Sequence, residues 1–340
     1  MTYRIEITTR DGERFGFGCD AGQDLLSAAA DADITLPSQC RRGSCGACQA
    51  TVVDGAYEMQ PDHAGVLPAG RHGAVLLCRT MPRGDLHIAA PYDRTKVLLH
   101  PVPVRTARIA TLETIAADTM RVELQVEPDD ASGSAVEFEP GQFAEVEVPG
   151  SGLRRPYSLA NTSNWDGRLE FLIRLRQGGW FSTYLRERAR SGDPLTVRVP
   201  MGGFGLFADS LRPRWFVAGG TGLAPILSML RRMADYQEMA DARLFFGVNQ
   251  ESELFMLDEL ARLQSELPQL HVDLCVWRPD ADWAGYRGTP VDALRAALVQ
   301  VGAPPDIYVC GPPPLVQGVR EVAAAAGVPD AQFASERFAV

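Results

Sequence analysis

Four cysteines constrain this chain more than any other feature. Cys40, Cys45 and Cys48 lie in the run Cys40-Arg-Arg-Gly-Ser-Cys45-Gly-Ala-Cys48, a C-x4-C-x2-C spacing, and Cys78 follows after 29 intervening residues. Three thiolates on so short a loop must curl around what they hold, and Gly43 and Gly46 permit the curl because they lack a Cβ. Four thiolates at this spacing suit a 2Fe-2S cluster. A four-cysteine zinc site is the alternative, but zinc usually draws C-x2-4-C knuckles from two loops, whereas here three ligands share one loop and the fourth stands alone. Cys19 and Cys275 fall inside predicted strands and read as ordinary buried thiols. Seven cysteines without a secretion-like leader do not suggest a disulfide framework.

The residues around the cysteines agree with one another. Residues 3 to 9 alternate as a strand, Asp11-Gly12 marks a hairpin turn, and Phe15 to Cys19 returns as a second strand. Asp24 precedes the apolar helical stretch that starts at Leu25 and is its candidate cap. Strands are expected again near 50 to 54 and 86 to 89. Across residues 1–98 this order resembles the β-grasp fold of plant-type ferredoxins.

At 340 residues the chain exceeds one ordinary core. Three domains are expected, 1–98, 99–208 and 209–340, in a multidomain α+β and α/β architecture. Hydrophobic residues at 46% and charged residues at 22% place it among folded globular proteins. No apolar run approaches the roughly 18 residues of a membrane span, and Met1 to Glu6 alternates like a strand rather than a signal peptide. A cytoplasmic protein without a membrane partner is expected. The net charge of −10 argues against nucleic-acid binding, which needs a clustered basic surface.

Closely spaced prolines at Pro101 and Pro103 suit a linker. Alternating segments then follow at 104 to 112, 120 to 127, 143 to 148, 169 to 175 and 195 to 199, which suggests an antiparallel β-barrel. Two stretches in it carry chemistry. Arg155-Pro156-Tyr157-Ser158 resembles the R-x-Y-S flavin motif of the ferredoxin-NADP reductase superfamily, and Gly178-Gly179-Trp180-Phe181-Ser182-Thr183-Tyr184-Leu185 resembles its phosphate-binding turn and helix. A pyrophosphate wants a guanidinium and the unpaired N–H groups of a helix start, which Arg155 and the Gly179 to Ser182 backbone offer. The isoalloxazine of FAD wants an aromatic face, which Tyr157 offers. The resemblance places Ser158 near flavin N5, includes Phe181 in the motif, and leaves Arg174 as a contact to phosphate or adenine.

The last third alternates apolar runs at 244 to 248, 272 to 277 and 307 to 310 with helical patterns at 225 to 239, 256 to 266, 290 to 300 and 313 to 326. That pattern implies a parallel sheet flanked by helices. Phe216-Val-Ala-Gly219-Gly220-Thr221-Gly222-Leu-Ala-Pro225 reads as a buried strand entering a glycine turn and a helix, where backbone N–H groups can meet a pyrophosphate. Cys310-Gly311-Pro312-Pro313 resembles the superfamily turn beside the nicotinamide, with Cys310 positioning the ring. Near the end, Phe338 matches the aromatic that covers the isoalloxazine, with Glu336 nearby. Asn249, Glu251 and Glu253 follow the second strand, where a 2'-phosphate would meet acid, so NADH is expected.

A hydride carries two electrons and a 2Fe-2S cluster accepts one, so a flavin must stand between them. The whole order resembles the reductase components of multicomponent oxygenases, above all those of soluble methane monooxygenase and related alkane monooxygenases. The resemblance implies an NADH-dependent reductase that passes electrons through FAD and the 2Fe-2S cluster to a diiron hydroxylase component, docked mainly through the ferredoxin domain. Reductases of phenol hydroxylase and of Rieske dioxygenases share the order and the motifs. A redox-sensing or zinc-stapled binding protein without turnover is the alternative from another class.

Overall fold

The computed structural model describes residues 1–62, 66–67, 72–130 and 133–338. The chain divides into two compact units, Met1–Pro103 with the short stretch Met201–Gly203, and Val104–Pro200 with Phe204–Phe338.

The first unit opens with a hairpin, β1 (Thr2–Thr8) and β2 (Arg14–Asp20), followed by helix α1 (Leu25–Asp31). Asp24 caps α1 as expected, its carboxylate accepting from the Ser27 amide at 2.9 Å. Strands β3 (Gln49–Asp54), β4 (Tyr57–Met59), β5 (Ala74–Leu76), β6 (Thr80–Pro82) and β7 (Leu86–Ala89) complete the unit. Its main sheet runs β2-β1-β7-β3-β5, with β7 parallel to β1 and the other pairs antiparallel. Alternation puts Ile5, Ile7, Phe17 and Cys19 on the face that α1 covers with Leu25, Leu26, Ala28 and Ala29. The expected β-grasp is present. The short β4–β6 pair and β5 were not expected, because three-residue strands show no readable alternation.

The second unit holds two sheets. Strands β8 (Val104–Ala116), β9 (Thr119–Val126), β10 (Phe143–Glu147), β11 (Arg154–Ser158) and β12 (Arg168–Arg174), then helix α2 (Trp180–Glu187) and β13 (Pro194–Met201), form an antiparallel sheet ordered β11-β10-β13-β8-β9-β12. A bridge between Leu159 and Phe171 joins its two edges, which closes the barrel. Ile109, Val122, Leu124, Val146, Leu169, Phe171 and Val197 fill the interior.

Strands β14 (Arg214–Gly219), β15 (Ala242–Val248), β16 (Leu270–Val276), β17 (Tyr286–Arg287), β18 (Asp306–Gly311) and β19 (Phe333–Arg337) form an all-parallel sheet ordered β17-β16-β15-β14-β18-β19. Helices α3 (Leu223–Asp235) and α4 (Leu257–Glu266) pack on one face, against Phe216, Leu244, Phe246 and Tyr308. Helices α5 (Pro290–Leu298) and α6 (Pro313–Ala325) pack on the other, against Trp215, Val217, Phe245, Ile307 and Val309. Burial on both faces is why these strands read as near-continuous apolar runs. Ala160 and Leu172 of the barrel also join the core under α3. The expected segment at 225 to 239 begins and ends earlier, since Gln237 turns to a positive φ of 50°. The C-terminal segment around Glu336 was expected only as a run carrying an aromatic, yet it forms β19. Its strand character comes from the ladder to β18, Ile307 opposite Phe333 through Gly311 opposite Arg337, and not from its own composition. No helix among the described residues is long and apolar enough to cross a membrane.

Candidate functional site

The cysteine loop lies between α1 and β3, and Cys78 sits in a tight 3-10 turn between β5 and β6. Arg41, Gly43 and Gly46 take positive φ values of 52°, 77° and 82°, so the loop curls as the two glycines permit. Backbone amides then point at sulfur. Arg42 and Ser44 donate to the Cys40 sulfur at 3.4 Å each, and Cys40 and Ala47 donate to the Cys45 sulfur at 3.4 and 3.5 Å. The thiols pair. Cys48 lies 3.4 Å from Cys78, and the Cys45 thiol bonds to Cys40, which holds Cys40 down at about 4 while pushing Cys45 up. In the other pair Cys48 is raised and Cys78 lowered by the same sharing of a proton. Among the described residues no three such ligands meet at a single ion. Two pairs of sulfurs surrounded by amide donors fit a two-iron cluster held by four thiolates. Cys19 and Cys275 stand apart, their thiols pushed up by burial to about 11 and about 12.

In the barrel, strand alternation sends Tyr157 and Ser158 to opposite faces of β11. The Tyr157 ring lies 5.4 Å from Phe181 and 6.4 Å from Phe171, edge-on to the latter, and burial pushes its phenol up. Phe181 is the second residue of α2, so one aromatic contact ties the R-x-Y-S strand to the glycine turn and helix. Gly178 has a φ of 71° and Gly179 caps α2. The Ser182 hydroxyl accepts from the Arg176 amide at 3.0 Å, which folds the turn back onto the helix. Arg155 is exposed on the strand and open to an anionic ligand. Arg174 instead has a protein partner, its Nε 2.7 Å from Asp118.

The glycine turn lies at the switch point of the parallel sheet, where β14 is flanked by β15 on one side and β18 on the other. Gly219 ends β14, and Gly220, Thr221 and Gly222 form a 3-10 turn that opens directly into α3. A Cβ on Gly219 would meet Leu315 at 2.6 Å and Pro312 at 3.2 Å, and one on Gly311 would meet Leu315 at 2.8 Å. The two turns therefore lie back to back, and a Cβ at Gly219 or Gly311 would require the Leu315 side chain to move. At the end of β15, Glu253 accepts from the Asn249 backbone at 3.0 Å and Glu251 accepts from the Asp280 amide at 2.8 Å.

Barrel and parallel sheet meet at Glu336. Its register partner on β18 is Cys310, the Ser158 hydroxyl donates to Glu336 Oε2 at 3.0 Å, and the Cys310 sulfur lies 3.9 Å from the same oxygen. Burial pushes the Glu336 carboxyl up to about 7, against the opposing pull of Ser158 and Cys310. Burial also holds the Cys310 thiol well above its usual value, which favours its neutral form. Phe338 extends the ladder, its amide donating to the Gly311 carbonyl at 3.1 Å, with its ring half-buried on the core. Ser158, Cys310, Glu336 and Phe338, proposed from separate stretches of sequence, are thus brought together. Sequence reasoning missed Asn161, Glu170 and Ser228, buried polar residues just outside the motifs; the only signal for Ser228 was a hydroxyl interrupting an apolar helical run.

Comparison with known proteins follows the same three parts. Family models match the 2Fe-2S iron-sulfur cluster binding domain at residues 8–83, the oxidoreductase FAD-binding domain at 106–205 and the oxidoreductase NAD-binding domain at 216–321. Methane monooxygenase component C of Methylosinus trichosporium is 38% identical over 299 residues, 87% of each chain. The electron transfer component of toluate 1,2-dioxygenase from Pseudomonas putida is 30% identical over 342 residues, covering 100% of this chain and 99% of that one. Among solved structures, the Amycolatopsis cytochrome P450 reductase GcoB superposes with a TM-score of 0.75 at 30% identity, over 98% of each chain. The chain belongs to the family of oxygenase reductase components, NADH-driven oxidoreductases that carry FAD and a 2Fe-2S cluster and supply electrons to an oxygenase.

Proposed function

We propose that the oxygenase served by this chain is a diiron monooxygenase hydroxylase of the methane or short-chain alkane type, docked mainly through the ferredoxin domain in the cytoplasm. The likeness to methane monooxygenase component C supports this choice. The toluate 1,2-dioxygenase component keeps a second reading in view, a Rieske oxygenase acceptor.

The three-domain division at 98/99 and 208/209 organises the residue roles. Cys40, Cys45, Cys48 and Cys78 hold the cluster. Arg155, Gly179 and Ser182 receive the FAD pyrophosphate, and Tyr157 with Phe181 supplies the aromatic wall. Arg174 is a weaker contact, since Asp118 already neutralises it. Gly219 to Gly222 and Gly311-Pro312 receive NADH, with Phe338 at the ring face. The chemistry a bound FAD would supply is the conversion of a two-electron hydride donor into single electrons that a one-electron cluster can take. Ser158 and Glu336 form one hydrogen-bonded pair at that place, able to hold a proton near neutral pH. Cys310 packs beneath them as a neutral thiol and excludes water.

The observation that carries the partner assignment is the 38% identity to methane monooxygenase component C over 87% of each chain, while the meeting of Ser158, Cys310 and Glu336 at the junction of barrel and parallel sheet supports the cofactor roles. The test reconstitutes the loaded chain with NADH and either a diiron hydroxylase or a Rieske oxygenase, and measures hydroxylated product per NADH consumed. Coupled turnover with the diiron enzyme alone is expected. Coupling only with the Rieske enzyme, or with a cytochrome P450, would replace this partner assignment.

A further inference from the structure

The polar residues that the motifs leave out form one connected device. Helix α3 begins at the glycine turn, and Ser228 and Arg231 lie one turn apart on its face. The fully buried Ser228 hydroxyl donates to the Asn161 carbonyl at 2.7 Å. Arg231 NH1 donates to the Ala160 carbonyl at 3.0 Å and to Glu170 Oε2 at 2.8 Å. Ala160 and Asn161 follow the Arg155–Ser158 motif after the single residue Leu159, so the helix that leaves the NADH-binding turn is bolted just past the end of the flavin strand.

The receiving end is itself rigid. The Ala160 amide donates to the Glu170 carbonyl at 2.8 Å, and the Glu170 amide donates to Asn161 Oδ1 at 2.9 Å. Asn161 Nδ2 donates to the Arg168 carbonyl at 2.7 Å. Glu170 has no exposure, and its second oxygen accepts from Arg121 Nε at 3.0 Å. On the helix side, Arg231 Nε donates to Glu259 of α4 at 2.7 Å, and Glu259 is held low by Arg262 and Arg231. A well-packed apolar contact would stabilise such a junction at least as well as a buried ion pair, whose desolvation is costly. What directional bonds add is a fixed separation. Hydride transfer needs that, since the reacting atoms must approach to about 3–3.5 Å and a misplacement near 1 Å can cost roughly 100-fold.

We propose that Ser228 and Arg231 are positioning residues for hydride transfer, fixing the NADH-binding turn relative to the strand that carries Ser158. The inference rests on the cofactor roles assigned above. The experiment is anaerobic stopped-flow reduction of the FAD-loaded chain by NADH, recorded with the long-wavelength charge-transfer absorbance given by stacked flavin and nicotinamide. In Ser228→Ala and Arg231→Met the limiting rate is expected to fall roughly 10-fold to 100-fold and the charge-transfer band to weaken. The apparent Kd for NADH should move by less than about threefold, the signature of lost alignment rather than lost binding. Arg231→Lys should restore part of both signals. Arg262→Ala, which removes the outer partner of Glu259 together with the exposed Arg262–Glu266 ion pair, should keep the wild-type values. Wild-type rate and band in Ser228→Ala and Arg231→Met would overturn the proposal, as would rate losses matched by losses of NADH affinity. If Arg231→Met does not fold, Ser228→Ala decides alone. A wild-type chain whose FAD is not reduced by NADH would instead refute the cofactor roles.

Discussion

Gly222 lies against Cys310 so closely that a Cβ at position 222 would sit 2.1 Å from the Cys310 carbonyl oxygen. The neighbour is backbone of β18 and cannot rotate away. Gly222→Ala must therefore push the glycine turn off the switch point, at a cost of roughly 1–3 kcal/mol. We expect a lower Tm together with weaker NADH binding, measured by thermal unfolding and by titration of the oxidised flavin band. A variant with unchanged Tm and affinity would show that the two turns do not need their present contact.

Glu336 makes stability depend on pH in a stated direction. Its carboxyl rises from 4.5 to about 7 in the folded chain, so the native state holds a proton that the unfolded state has released. Unfolding free energy then falls as pH rises between those two values, by about 3 kcal/mol, and is level on either side. Glu336→Gln should abolish this slope. Denaturant unfolding at pH 5 and pH 8 measures it, and identical slopes for variant and wild type would rule out Glu336 as the source.

Cys45→Ser tests whether the two halves of electron transfer are separable. The variant should pass electrons to cytochrome c only at background level while NADH still bleaches the bound flavin at close to the normal rate. Simultaneous loss of both signals would mean that the cysteine loop is needed for the flavin site to form.

The proposed role of Phe338 is to cover the place where the nicotinamide ring must land. Replacing it with alanine should narrow the preference for NADH over NADPH, on the order of 10-fold, the scale of a changed apolar contact. Steady-state kcat/KM for both nucleotides gives the ratio, and an unaltered ratio removes Phe338 from cofactor choice.

Local chemistry in the sequence carried most of this site. The C-x4-C-x2-C loop, the R-x-Y-S strand and both glycine turns each need particular residue types within a few positions, so each could be recognised before its surroundings were known. Asp24, Gly43 and Gly46 behave as their local roles require. What stayed hidden was pairing between distant segments. Glu336 was named beside Phe338 from the sequence, but its partners Cys310 and Ser158 came into view only once β19 paired with β18, and Glu170 carried no role until Arg121 and Arg231 enclosed it. Short strands such as β4 and β6 were hidden because their order comes from partners and not from composition.

The Ser158–Glu336 hydrogen bond joins residues 178 positions apart, whereas the Cys48–Cys78 contact closes over 30. During synthesis, domains fold largely in the order they emerge, and distant contacts form last. A ribosome-bound chain can therefore complete its iron-sulfur cage while the hydride site still lacks its carboxylate. Ordering of the cysteine cage and closure of the Ser158–Glu336 contact are then separable events in biogenesis, the first needing only the opening third of the chain and the second nearly all of it.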